Sequence, residues 1–162
     1  MDFQKASLEA ECRLKPKLRT FLKIKDFKSS AAYICKPLSF PQSRMIAKIR
    51  LGCLPLRLET GRYSRPRLEE KDRTCLVCRP VEQIIETEDS AKPIESEIHF
   101  LFHCNAYKEE REKLFQQMTV PEEFNALRDD ERLKIALNEP ANVKLVAQFI
   151  IKAFNLRSTI VT

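Results

Sequence analysis

Three cysteines and one histidine in the middle of the chain have the types and the spacing of a metal site. Cys75 and Cys78 form a C-x2-C pair, and His99 and Cys104 follow as H-x4-C after twenty intervening residues. A two-residue gap lets both thiolates of a tight turn reach one ion, and the second pair can complete a tetrahedron. Three thiolates and an imidazole favour zinc over magnesium or calcium. Because protein fills all four positions, the pattern predicts one structural zinc ion and no open coordination position.

Three other interpretations of these residues remain. The C-x2-C pair could be a thioredoxin-like redox dithiol, although its flanks do not predict the strand, turn and helix that such a site needs. The cysteines could also be unliganded, or His103 could replace His99, because both histidines lie close to Cys104. The two histidines have the i, i+4 spacing of H-E-x-x-H, but Phe100 stands where a zinc protease has its glutamate, which argues against zinc hydrolysis.

Charge is unevenly distributed along the 162 residues. Residues 1–78 carry a net charge of +10 and residues 79–162 a net charge of −4, which together give the overall +6. Net charge bears on the choice of partner rather than on fold, and a basic half is typical of proteins that contact phosphates. A solvated basic surface is the competing interpretation.

The basic residues are densest in residues 44–67, which contain seven arginines and lysines and the single acid Glu59. Arginine forks match phosphate geometry, and an aromatic side chain among them can stack on a base. Tyr63 is the predicted stacking residue, unless it is a core tyrosine. The predicted phosphate contacts are Arg44, Lys48, Arg50, Arg57 and Arg62.

Several functional classes are excluded by the sequence. Only two glycines are present, and no dinucleotide-binding, P-loop or serine-hydrolase glycine motif occurs. No apolar run approaches the length of about 18 residues that a membrane span needs, and the first residues do not resemble a secretory signal. We therefore expect a protein that is not secreted, in the reducing environment of the nucleus or cytoplasm, with thiols or metal ligands rather than disulfides.

Periodicity predicts a mainly helical fold, a small helical domain organised around the zinc knuckle, with short extended segments before the C-x2-C. Predicted helices cover residues 3–14, 43–53, 129–137 and 141–156, with a further helix after Asn105 and a turn capped by Ser96. The domain organisation expected is a basic helical segment at 1–40, a basic helix plus the knuckle at 41–118, and C-terminal helices at 119–162. The remaining cysteines, Cys12, Cys35 and Cys53, are expected to be small buried hydrophobes.

The order and spacing of these blocks resemble the C-terminal zinc-binding region of non-LTR retrotransposon reverse transcriptases. The likeness is carried by residues 49–63 (IRLGCLPLRLETGRY), 75–78 (CLVC) and 97–107 (EIHFLFHCNAY), and extends through Arg111 over roughly residues 15–158. It implies that His99 and Cys104 are ligands, and that the chain handles template RNA and target DNA. One departure is the stretch 81–97, which looks lengthened by an acidic insertion.

The function expected from these features is non-catalytic: a zinc-stabilised nucleic-acid-binding module without a polymerase, a small-molecule substrate or a membrane partner. A polymerase would need converging carboxylates, and the chain has only one Asp-Asp pair, Asp129-Asp130, in a helix-start context. The alternatives are a zinc-stabilised protein-interaction or scaffold module, in which the C-terminal helix docks a partner, and an element remnant without a selected function.

Overall fold

A computed structural model describes residues 7, 10–12, 14–15, 18–25, 37–78 and 92–161. Most of the helix predicted at 3–14, together with Cys35 and most of the acidic stretch 81–97, lies outside the described residues. Of the other two scattered cysteines, Cys12 is buried as predicted, whereas Cys53 is exposed. The prediction of a buried Cys53 is therefore wrong.

The described chain is mainly helical, as predicted, and contains no strand. Extended pairing is limited to an isolated antiparallel bridge between Thr74 and Ile94. Short 3-10 turns lie at Glu70–Asp72, Asn105–Tyr107 and Glu122–Ala126, and one π-helical turn lies at His99–His103. The α-helices are α1 (Arg19–Ile24), α2 (Phe40–Arg50), α3 (Arg57–Thr60), α4 (Lys108–Gln117), α5 (Asp129–Asn138) and α6 (Pro140–Ile160).

Helix α2 is bounded by local signals at both ends. At its start the backbone N–H of Ser39 donates to Oε1 of Gln42 at 3.0 Å, half of a capping box. At its end Gly52 adopts a φ of 66°, and the N–H of Cys53 donates to the carbonyl of Lys48 at 2.8 Å. This is the Schellman arrangement, which requires a left-handed residue after the helix. The helix therefore begins and ends about three residues before the predicted bounds.

Helix α6 organises the core. Its apolar stripe, which includes Val146 and Ile150, is buried against α2, α4 and α5. Helix α1 packs on α2 and α5, so that all three predicted segments of the chain contribute to one hydrophobic core, from Ile24 through Ile46 to Leu133. Within the described part of the chain, no helix combines the length and apolar character that crossing a bilayer requires.

Arg50 connects three of these helices. Its side chain is almost fully buried at 4% exposure, and Nη1 donates to the carbonyl of Leu137 at 2.7 Å and to Oδ1 of Asn138 at 2.9 Å. Nδ2 of Asn138 in turn donates to the carbonyl of Ile24 at 2.6 Å. Arg50 thus satisfies the carboxyl end of α5, where carbonyls lack partners within the helix.

Candidate metal centre

The four predicted ligands lie together. The ligand atoms of Cys75, Cys78, His99 and Cys104 are all within 4.8 Å of one another. Sγ of Cys104 is 3.8 Å from Sγ of Cys75 and 3.6 Å from Sγ of Cys78, and Nε2 of His99 is 3.2 Å from Sγ of Cys78. Zinc–ligand bonds of about 2.0 to 2.3 Å in a tetrahedron require donor separations of about 3.6 to 3.8 Å. The cluster can therefore hold one metal ion with little movement of its side chains.

Backbone pairing brings the two halves of the cluster together across the acidic stretch. The N–H of Cys75 donates to the carbonyl of Pro93, and the N–H of Glu95 donates to the carbonyl of Arg73, both at 2.9 Å. These bonds flank the Thr74–Ile94 bridge. Residues on either side of a long connection are thereby fixed next to each other, as a four-ligand site requires.

The π-helical turn places the second pair of ligands. Ser96 caps it as predicted, its Oγ accepting from the N–H of His99 at 3.2 Å. The N–H of Cys104 then donates to the carbonyl of His99 at 2.7 Å, a bond from residue i+5 to residue i. An α-helix would turn side chains five residues apart about 140° from each other, whereas i+5 bonding stacks them on one side. The wider turn therefore lets His99 and Cys104 face the same ion.

The two histidines have different surroundings. His99 is buried at 6% exposure among the cysteines. His103 points outward, and its Nε2 is 2.7 Å from Oδ2 of Asp129 at the start of α5. The structure thus brings His99, not His103, into the cluster.

The three thiols ionise unequally when they share this space. A hydrogen bond from the Cys104 thiol lowers the pKa of Cys75 to about 3, against the opposing effect of burial. The same bond raises the pKa of Cys104, and burial raises the pKa of Cys78. The neighbouring thiol stabilises the first thiolate, and the charge of that thiolate then disfavours ionisation of the other two thiols. Three thiolates can therefore form together only with a cation among them.

A buried ion pair that the sequence pattern does not predict lies beside the cluster. Oε1 of Glu95 is 3.6 Å from Sγ of Cys75, and its carboxylate binds both terminal nitrogens of Arg157 on α6. Oε2 of Glu95 also accepts the N–H of Arg57 at 2.7 Å, at the start of α3. Burial raises the pKa of Glu95, and Arg157 opposes that rise. The pair joins the cluster to α3 and α6.

The predicted phosphate contacts differ in their accessibility. Arg44 is exposed, and Lys48 and Arg57 are half-buried. Arg62 is half-buried, with Nε 3.5 Å from Oε2 of Glu59. Arg50 is unsuited to a phosphate contact, because its guanidinium lies in the interior on the end of α5. Its inclusion in the predicted set is corrected here to a structural role.

Tyr63 lies on the surface, at 63% exposure. It belongs to the loop of residues 61–68, which is named the arginine loop. The N–H of Leu68 donates to the carbonyl of Gly61 at 3.0 Å, which closes the loop at its base. Arg73 clamps that base from inside, donating to the carbonyls of Leu68 and Leu58. The loop contains no acidic residue.

Two exposed arginines of this loop, Arg65 and Arg67, were absent from the predicted contact set. Both belong to the dense basic run 44–67, so the signal that could have identified them was in the sequence. With Arg62 and Tyr63 they give the arginine loop three cations and one aromatic ring in eight residues.

A shallow groove lies along the outer side of α6, at its carboxyl end. It is lined by Glu110, Lys152, Asn155, Leu156 and Thr159, and has a volume of about 370 Å³. The apolar stripe of α6 that begins at Val143 is buried in the core, so a partner of this helix would contact the groove side instead.

No protein-family model matches the chain, and no curated protein or solved structure is significantly similar to it.

Proposed function

We propose that the chain is a non-catalytic, zinc-stabilised nucleic-acid-binding module whose contact surface is centred on the arginine loop. The observation that carries the proposal is the position of that loop. The loop presents an exposed tyrosine and two exposed arginines, Arg65 and Arg67. Its base is held by Arg73, which lies two residues before the first predicted zinc ligand, Cys75.

Zinc is the ion that best suits the donor set. Thiolates and imidazole are the ligands that zinc prefers in structural sites, and four protein ligands leave no position for a reacting water. The ion would be held by Cys75, Cys78, His99 and Cys104, and would supply folding energy rather than chemistry. Such thiolate ligands persist in the reducing conditions of the nucleus or cytoplasm, and the described cysteines are free of disulfides.

The arginine loop favours nucleic acid, and single strands in particular. Guanidinium groups pair with phosphate oxygens, and an exposed aromatic ring stacks on an unpaired base at about 1–3 kcal/mol per base. Arg65 and Arg67 follow Tyr63 within four residues, so they could contact phosphates next to a base stacked on Tyr63. The resemblance to the zinc-binding region of non-LTR reverse transcriptases supports the same proposal, since that region handles RNA and DNA.

The test is fluorescence anisotropy of the zinc-loaded chain with single-stranded DNA, duplex DNA and RNA at two salt concentrations. Arg65→Glu is compared with Arg128→Glu, which makes the same charge change at an exposed arginine (83% of its side chain) outside the loop. We expect Arg65→Glu to weaken binding at least tenfold and to lower the salt slope by about 0.7 for each single-strand phosphate lost. Tyr63→Ala should weaken single-strand binding more than duplex binding.

Two results would overturn the proposal. The first is no binding to any of the three nucleic acids at low salt. The second is an equal loss of affinity in Arg65→Glu and Arg128→Glu, which would assign binding to net charge alone.

The α6 groove favours a protein-interaction module as the second candidate function. Leu156, which lines the groove, and Ile160 on the same helix are both partly exposed.

A further inference from the structure

Arg111, in the first turns of α4, is a buried cation without a carboxylate partner among the described residues. It is 8% exposed, and its one hydrogen bond runs from Nη1 to the carbonyl of Cys104 at 2.9 Å. By contrast, Arg157 is paired with Glu95, and Arg73 donates to carbonyl oxygens through all three of its nitrogens. Of these three arginines, Arg111 therefore has the fewest acceptors for its N–H groups among the described residues.

The position of Arg111 makes its charge more costly. Burial of a charge is expensive unless an opposite charge lies near it. A cation close to the amino end of a helix also faces the positive end of the helix dipole. The guanidinium is nevertheless held beside a ligand residue, because Nη1 donates to the carbonyl of Cys104. A nearby anion would offset both penalties, and three thiolates gathered around a metal ion next to Cys104 would supply one.

The charge of the metal centre has the required sign and size. Three thiolates and a neutral imidazole around a divalent ion leave one negative charge. The neighbouring Glu95–Arg157 pair is neutral as a unit and changes nothing in this balance. Arg111 donates to the ligand residue Cys104, and its single positive charge equals the charge of such a centre in size and opposes it in sign. A monovalent ion would leave an excess negative charge, and a trivalent ion an excess positive one.

We propose that Arg111 is the positioning residue and counter-cation of the metal centre: it holds the Cys104 carbonyl and balances the single negative charge of a divalent ion bound by three thiolates. The inference rests on the proposed metal centre and adds a residue to it. It predicts that the metal affinity of the centre depends on the charge of Arg111.

The experiment measures metal affinity in the full chain by competition with a chromophoric chelator, with zinc and separately with cobalt(II). Arg111→Met removes the charge and keeps much of the volume, and Arg111→Lys keeps the charge. The matched control is Arg50→Met, which removes a buried arginine that donates to Leu137 and Asn138 rather than to a ligand residue. Circular dichroism of each metal-loaded variant checks that the helices persist.

We expect Arg111→Met to weaken zinc binding about 10- to 100-fold relative to Arg50→Met, the range typical of residues that support metal ligands. Arg111→Lys should recover part of that loss. In the cobalt-loaded chain, the sulfur-to-cobalt charge-transfer bands should shift in Arg111→Met and stay unchanged in Arg50→Met. Equal zinc affinity and identical cobalt spectra in the two methionine variants would overturn the inference alone. Absence of zinc binding by the unsubstituted chain would overturn the proposed metal centre, and the inference with it.

Discussion

Replacing His99 and His103 one at a time by alanine tests which of the two histidines binds the metal. The two histidines are four residues apart on one turn, yet His99 is buried against Cys78 and His103 is paired at the surface with Asp129. Only His99→Ala removes a donor from the cluster. We therefore expect the stability of His99→Ala to lose its dependence on free zinc, whereas His103→Ala retains it.

The size of the effect follows from linkage. A ligand that binds only the folded state adds about 1.4 kcal/mol for each tenfold rise in its free concentration above the dissociation constant. For a chain of this length, 1 kcal/mol corresponds to about 2–4 °C in Tm. The unsubstituted chain should therefore gain about 3–6 °C per decade of buffered free zinc. In His103→Ala the free energy of unfolding should fall by at most about 1 kcal/mol, since the pair with Asp129 is solvent-exposed. The dependence of its Tm on free zinc should stay the same.

The assay is thermal unfolding followed by circular dichroism across a series of zinc buffers, with Cys75→Ser as a second ligand variant. Cys75→Ser should behave as His99→Ala does, because both remove one of the four donors. A zinc-dependent slope that persists in His99→Ala and disappears in His103→Ala would refute the ligand assignment. A flat slope in the unsubstituted chain would refute the metal centre.

Two further substitutions test the packing around the site, each by urea denaturation. Asn142→Ala should lower the free energy of unfolding by about 1–3 kcal/mol. The Asn142 amide is fully buried, accepts from the N–H of Thr119 at 2.8 Å and donates to the carbonyl of the same residue at 2.9 Å. A loss below about 0.5 kcal/mol, the range of ordinary surface substitutions, would mean that water replaces the amide. Gly61→Ala should lower the free energy of unfolding by about 1–3 kcal/mol. A Cβ at this position would lie 2.8 Å from the carbonyl oxygen of Arg57 and 2.8 Å from Cγ of Arg73. Unchanged stability would mean that the arginine loop shifts freely.

The four residues of the candidate metal centre could be predicted from the sequence because ligand spacing is a local property. A C-x2-C pair reaches one ion through its own turn, whatever the rest of the fold does. The choice between His99 and His103 needed the structure, because it depends on the π-helical turn. That turn adds one residue to the hydrogen-bonded ring, and nothing in residues 96–104 distinguishes it from an α-helical turn by periodicity.

The helices were predicted to different accuracy for a physical reason. Helix α6 was predicted within a few residues, since its apolar stripe repeats over several turns and is buried along its length. Helix α3 is a single turn in the part of the chain before the C-x2-C where short extended segments were predicted. So short a helix carries little periodicity, and tertiary contacts such as the bond from Arg57 N–H to Glu95 decide its conformation.

Arginine has two roles in this chain, and composition cannot distinguish them. The basic run 44–67 predicted Arg50 as a phosphate contact. In the structure, however, the Arg50 guanidinium contacts the end of α5, which is far away in sequence. Arg73, Arg111 and Arg157 are likewise bound to carbonyls or carboxylates in the interior. Counting charge therefore overestimates the basic surface wherever a guanidinium completes the hydrogen bonding of buried backbone.

The arginine loop depends on one of these interior arginines, Arg73, for its shape. Residues 51–78 contain only the single turn α3 and one short 3-10 turn, too little regular structure to be stable alone. Their order comes from Arg73, which clamps the loop base, and from the bond between the Arg73 carbonyl and the N–H of Glu95. Glu95 in turn contacts Cys75. A metal ion that fixes Cys75 would therefore also restrain the segment that presents Tyr63, so ion binding and the proposed nucleic-acid contact involve the same few hydrogen bonds.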